Sequence, residues 1–470
     1  MSISFRRRSA LASAKRVRLS QGSSDVASST ATTARTTAIA AAATITQAVS
    51  SGALPTQVIP PGYGSFLSNA NVADSHRTNE RVTLQDGVVR NNIYYQTSKF
   101  EINRFDLTTM TELAPIRIPP AAAWFDSSGY TSVALFGNRY LVTLPDGSYD
   151  SGDTYVIPVY DLQEEEFVAP LSLTLPTHGA WNDTPFHSLR RFSDDIYLAS
   201  PYAYFGHVLK LSFDGTAFAA TFIAMDTSVF GVITNPSYYL SPFVRLGTSG
   251  LMVAFDVSSS AAMNGALFVT DVAEETCVPA LGGVVTLFNR QGHQIGETTY
   301  TEAQPFRIGH QATEQEAVAG YVNSFRRCWD AAWVPSLSSL VLAPFNDLFI
   351  TRLQYNAETQ TFAASKHMMT FPDFFEGRKW GKIVHNATRN SLMLFPASHS
   401  TVVEVRWESG RPVWRRYVTL LLPEDTDAFK FCDAIVRGSD VLAFPLFAIQ
   451  PGVMKIPLAM NPAQPIESRY

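Results

Sequence analysis

"NSLMLFPASHS", residues 390–400, is a short apolar strand that runs into a proline, Pro396. The same wording recurs as "NRYLVTLPDGS", "DDIYLASPYAY", "SSLVLAPFNDL" and "SDVLAFPLFAI", ending at Pro145, Pro201, Pro344 and Pro445. The intervals between successive prolines are 56, 143, 52 and 49 residues. Inside the long interval, "SGLMVAFDVSS" puts Asp256 in the proline's place, 55 residues after Pro201. Towards the N-terminus, "NNIYYQTSKF" puts Thr97 there, 48 residues before Pro145. These make seven copies with a period near fifty, one interval being stretched by an insertion. A period of that size marks a repeat architecture in which each unit buries its face against the next.

A second phrase follows each strand: "EINRFDLTTMTEL", "YVIPVYDLQEEEF", "VLKLSFDGTAF", "VVTLFNRQGHQI", "ITRLQYNAETQTF" and "VVEVRWESGRPVW". Each alternates at period two, reaches an aromatic residue with Asp, Asn or Glu beside it or shortly after it, turns, and starts another strand. Period-two alternation broken by such a turn predicts a hairpin. Before each proline phrase lies a further strand, as in "FHSLRRF", "YLSPFVRL", "DAAWVP", "WGKIVHN" and "FKFCDAIV". Four strands per period, repeated seven times, predict an all-β protein, a seven-bladed β-propeller over residues 80–460. The last copy ends at "VMKIPL" one strand short, and "ERVTLQDGVV", residues 80–89, is expected to supply the missing strand and close the ring. An insertion is expected at about 257–330, with helical character over 317–325, and residues 461–470 form a C-terminal tail. The aromatic–Asp hairpins resemble those of the YVTN/quinoprotein-like propeller class, a resemblance that implies fold and little about activity.

Composition agrees with a sheet-rich chain: 46% hydrophobic, 12% aromatic and only 16% charged residues. No apolar run approaches the eighteen residues of a membrane helix. Cys277, Cys328 and Cys432 are far apart and odd in number, which predicts buried free thiols rather than a disulfide framework or a zinc site. Asn182-Asp-Thr184 and Asn386-Ala-Thr388 match the glycosylation pattern, but no secretory signal accompanies them.

Residues 1–73 differ from all that follows. Arg6, Arg7, Arg8, Lys15, Arg16, Arg18 and Arg35 face only Asp25, a charge of +6, so the rest of a chain of net charge −5 carries −11. Alanine, serine and threonine dominate and aromatic residues are nearly absent, so this segment cannot build a core of its own. "AIAAAATITQAV", residues 38–49, has the alanine content of a helix that needs a partner. The segment reads as an assembly arm that docks on other subunits through residues 1–55, with an organelle transit peptide or a plain tail as alternatives.

Chemistry-bearing motifs are few. Asp146, Asp150 and Asp153 offer carboxylates in the turn after the second copy, without the spacing of a calcium loop. Trp181, Tyr202, Tyr204 and Phe205 are candidate rim contacts of the kind that stack on sugars, and His399 lies in the "ASHS" loop. The nine histidines, His178, His187 and His207 among them, include no HxH or HExxH pair. No phosphate loop, nucleophile elbow or dinucleotide fingerprint is present. The chain is therefore read as lacking catalytic, cofactor-binding and metal residues.

A basic arm on a motif-poor acidic propeller resembles the nozzle and fibre-base propeller proteins of bacteriophage tail machines. That resemblance implies a non-enzymatic, homo-oligomeric virion subunit beside a DNA channel, where an acidic wall lets DNA slide. The alternatives are a lactonase- or quinoprotein-type propeller enzyme and a glycan- or receptor-binding module.

Overall fold

The computed structural model describes residues 56–59 and most of 87–457. Within the latter span, segments 98–100, 110, 119–128, 147–151, 177–184, 202–205, 232–239, 258–262, 264, 290, 309–327, 345–348, 369–379, 397–400, 421–430, 438–439 and 446–453 lie outside the description. The expected helices at 38–49 and 317–325 and the tail 461–470 are also outside it.

A short strand of the arm comes first, Thr56–Ile59 (β1). Blade one is Val88–Arg90 (β2), Ile93–Thr97 (β3), Glu101–Asp106 (β4) and Thr111–Arg117 (β5). Blade two contains Gly129–Phe136 (β6) and Tyr140–Asp146 (β7). Its outer hairpin is split at Pro158 into Thr154–Ile157 (β8) and Val159–Asp161 (β9), returning as Glu166–Phe167 (β10) and Leu171–Thr174 (β11). Proline has no N–H for the ladder, yet its carbonyl still accepts the Thr143 N–H at 3.3 Å. Blade three is Phe186–Ser193 (β12), Ile196–Pro201 (β13), His207–Phe213 (β14) and Phe218–Ala224 (β15). Blade four is Val244–Arg245 (β16), Leu251–Phe255 (β17), Leu267–Asp271 (β18) and Thr276–Pro279 (β19).

Two strands then depart from the period, Leu281–Phe288 (β20) and Gln294–Pro305 (β21). Blade five follows as Cys328–Val334 (β22), Ser339–Pro344 (β23), Phe349–Asn356 (β24) and Thr361–Met368 (β25). Blade six is Trp380–Asn386 (β26), Ser391–Pro396 (β27), Thr401–Glu408 (β28) and Arg411–Leu420 (β29). Blade seven has Phe431–Arg437 (β30), Asp440–Pro445 (β31) and Met454–Pro457 (β32). The seven-bladed, all-β architecture is the one the repeat specifies.

One reading is corrected. "VVTLFNRQGHQI" is not the hairpin of blade four, which uses β18 and β19 instead. The hairpin β20–β21 adds to blade five from outside, β20 pairing in parallel with β25 to make a six-stranded sheet. Periodicity could not see this, because an inserted hairpin has the same alternation and turn chemistry as a native one. The ring-closure expectation falls mostly on undescribed residues. Val88 and Val89 of "ERVTLQDGVV" form the inner strand of blade one, pairing with Tyr95 and Tyr94, while residues 80–86 lie outside the description.

The hairpin phrase has a direct physical cause. Its Asp or Asn carboxyl or amide oxygen accepts backbone N–H groups two to four residues on: Asp106 from Thr108 and Thr109, Asp161 from Gln163 and Glu164, and Asp214 from Thr216 and Ala217. Asn289 and Asn356 do the same. Such side chains mimic a backbone turn and fix the hairpin. At Asp214 these bonds, with that from the Thr216 hydroxyl first, hold the carboxyl down at about 2.

The core lies between blades rather than within them. Phe136, Leu144, Tyr155, Phe186 and Leu209 fill the layer between blades two and three. Phe255, Leu267, Phe306, Leu342 and Phe362 fill that between four and five. No helix among the described residues is long and apolar enough to cross a membrane.

Candidate functional site: the channel of the ring

The phrase proline determines what faces the channel. Each pairs with an early residue of its inner strand: Tyr130 with Pro145, Phe186 with Pro201, Cys328 with Pro344, Trp380 with Pro396 and Phe431 with Pro445. Leu240 bridges Asp256 in the same way. Just beyond that pair, the inner strand carries one residue more than its partner, a β-bulge. Bulges re-aim side chains. Here they present a polar residue at the same place in six blades: Ser132, Ser188, Ser241, Asp330, Lys382 and Asp433, all buried.

These residues tie blades together. The Leu189 N–H of blade three donates to Ser132 Oγ of blade two at 3.0 Å. The Ile383 N–H of blade six donates to Asp330 Oδ2 of blade five at 3.1 Å. Asp433 of blade seven accepts the Gly87 N–H at 3.0 Å and the Tyr94 hydroxyl at 2.9 Å through Oδ2, joining the last blade to the first. Gly87 is required there, since a Cβ on it would overlap the Tyr94 ring. Pro242 follows Ser241 and has no N–H to offer Ser188. Blades three and four are joined instead by His187, whose Nε2–H donates to the Leu240 carbonyl at 2.7 Å.

On one side of the ring the tie is neutral; on the other it is charged. Lys382 Nζ stands 3.2 Å from Asp433 Oδ1 and 3.7 Å from Asp330 Oδ2. From blade three, across the channel, Arg190 Nη2 donates to Asp330 Oδ1 at 3.1 Å. The exposures are 1% for Asp330, 5% for Lys382 and 19% for Arg190, so this chain of four charges is largely out of water. Two carboxylates and two cations balance, the condition under which buried charge is tolerated.

The charges Arg190, Lys382 and Asp433 stand in the wall of a cavity of about 950 Å³, lined further on blades three and four by Arg191, Asp194, Asp195 and Arg245. Arg245 is held by the carbonyls of Phe192, Ser249 and Thr248 and lies over the Phe192 ring. Arg191 pairs with Asp194. These cations are engaged by the protein itself, so the arrangement braces the ring.

Most of the residues singled out from sequence fall outside the description. Trp181, Tyr202, Tyr204, Phe205, Asp150, His178, His399 and the arm cations Arg6, Arg7, Arg8, Lys15, Arg16, Arg18 and Arg35 lie outside the described residues. Asp146 ends β7, and Asp153 is exposed with its carbonyl accepting the Leu175 N–H. His207 packs edge-on against Phe222. Among the described residues no three His, Cys, Asp or Glu side chains group to hold a metal. Cys277 is a buried free thiol, pushed up to about 12 by burial. The channel series was missed, although it had a signal. In six blades a polar residue stands in the inner strand or at its start, 12 to 15 positions before the phrase proline or Asp256.

No protein-family model matches the chain, and no curated protein matches it. Solved structures do. The β-propeller domain of Cps50 (Swd1) from Myceliophteria thermophila has 11% identity and a TM-score of 0.45 over 78% of this chain and 95% of that one. A protein from Lactobacillus plantarum has 12% identity and a TM-score of 0.46 over 75% and 84%. A 6-phosphogluconolactonase assigned as putative, from Bacteroides uniformis, has 13% identity and a TM-score of 0.44 over 71% and 85%.

Proposed function

We propose that this chain is a non-enzymatic structural subunit of a large assembly, docking through its N-terminal arm and presenting its propeller to a shared channel, as a virion tail nozzle or adaptor does. The observation that carries the reading is the mutual pairing of the buried charges in the channel. Where a ligand-binding propeller would keep convergent polar groups available, this ring pairs its buried charges with one another.

The charge division adds support. A +6 arm on a −11 body suits copies that attract one another end to body, and an acidic wall repels DNA and lets it slide. The arm's β1 is already laid against a blade, on the outer strand β29, so the rim is a surface on which the arm can dock.

Light scattering on the full chain and on a chain lacking residues 1–59 tests the reading. The full chain is expected to form a discrete multimer and the shortened chain a folded monomer. A full chain that stays monomeric at all concentrations, or a shortened chain that assembles as before, overturns it.

A further inference from the structure

We infer that the outer strand of blade six is the receptor for the arm of a second copy, with Thr56–Ile59 of one chain lying on β29 of the next. The inference rests on the reading of the arm as the docking element and names its partner and its seat.

β1 runs parallel to β29 with Thr56, Gln57, Val58 and Ile59 opposite Tyr417, Val418, Thr419 and Leu420. Pro55 precedes it and Pro60-Pro61 follow, so the strand is cut to four residues at both ends. What holds it is a backbone ladder, and a backbone ladder does not distinguish a chain's own strand from the same strand of an identical copy. Exchange of an identical element between protomers preserves every contact and is a low-cost route to assembly.

The connection decides between the two. Residues 60–86 separate β1 from blade one, and a chain of that length fully extended spans up to roughly 90 Å. That is ample to reach a neighbour's rim. Bound within one chain, a four-residue edge strand bears alone the entropic cost of fixing both ends of this 27-residue segment. Exchanged around a closed ring of copies, each donating one strand and receiving one, it gains from the high local concentration of its partners.

The receptor edge is also bounded. The other end of β29 is met by the turn of the inserted hairpin, where Arg411 Nη1 donates to the Gln291 carbonyl at 3.3 Å. The arm strand covers the 417–420 end of β29, an edge that would otherwise invite irregular pairing, while the hairpin turn touches it at Arg411. The 417–420 end is thus the part of this edge that an exchanged strand occupies.

Val58 and Thr419 are paired in register, and neighbouring strands place Cα atoms within disulfide range, roughly 4.4–6.8 Å. Two differently tagged full-length chains, one Val58→Cys and one Thr419→Cys, are co-expressed and oxidised, beside a single chain bearing both substitutions. Each substitution alone controls for Cys277, Cys328 and Cys432. Exchange gives a linked product of two chains in the co-expressed pair, carrying both tags. A link confined to the double variant, at the mass of one chain, overturns exchange while leaving the arm's docking role to the light-scattering result. No link in either sample overturns it as well, because the β1–β29 pair itself is then lacking in solution.

Discussion

Blades two and five solve the same problem with different chemistry. In both, a bulged inner strand turns a polar side chain towards the following blade, and a backbone N–H of that blade donates to it, at 3.0 Å for Ser132 and 3.1 Å for Asp330. Ser132 needs nothing more. Asp330 brings a charge into a buried place and needs Arg190 and Lys382 to balance it, and Lys382 in turn engages Asp433. A neutral tie is modular, whereas a charged tie recruits partners and becomes a network. The network spans blades three, five, six and seven, and its last member holds Gly87 and Tyr94 of blade one. Among the described residues, Asp433 thus joins the three described strands of the last blade to the first blade.

The comparison breaks most visibly at Asp433. Asp433→Ala leaves Lys382 short of a buried partner and the Gly87 N–H without its acceptor. Loss of one member of a buried pair costs about 3–5 kcal/mol, expected as a lower midpoint in urea unfolding. The double variant Asp433→Ala/Lys382→Ala is expected to lose less than the sum of the two single losses, by about 0.5–3 kcal/mol, since the pair acts as a unit. Strict additivity would remove the network.

The charged half also contains a titrating group. His367 stacks on Phe288 of the inserted hairpin at 4.7 Å and meets Trp407 of blade six edge-on at 5.3 Å. Burial, with Arg352 nearby, pushes its imidazole down to about 4. The folded state holds it neutral while the unfolded chain protonates near its ordinary 6.5. Its contribution is therefore full above pH 6.5 and declines as the pH falls towards 4, by up to about 3 kcal/mol. Unfolding midpoints across that window are expected to fall for the native chain and to flatten for His367→Leu.

How much of this could be read in advance follows from range along the chain. The period, the phrase prolines and the Asp and Asn hairpin residues act over a few residues, and they specified seven blades. Pro396 was read as a strand end; opposite Trp380 it also marks the bulge that aims Lys382 inwards. The pairing of Arg190 with Asp330 was not legible, because 140 residues separate them and only closure of the ring brings them together. The β20–β21 hairpin was legible as a hairpin but not as a guest of blade five, since its strand pattern is that of any other blade.

On the neutral side the expected effects are smaller. Ser132→Ala leaves the Leu189 N–H buried without an acceptor, a cost of about 1–3 kcal/mol by urea unfolding, with no salt dependence. Smallest of all, Cys277 in blade four, with its thiol at about 12, is expected to stay unalkylated by iodoacetamide at pH 8 in the native protein and to react fully once unfolded.

Hydrogen–deuterium exchange on the full chain, assembled and then diluted to single copies, tests the division between a braced channel and a docking rim. Protection is expected to change at β29, Arg411–Leu420, and at the arm, while the channel strands β12 and β26 exchange alike in both states. A change concentrated on β12 and β26, with β29 unaffected, would contradict it.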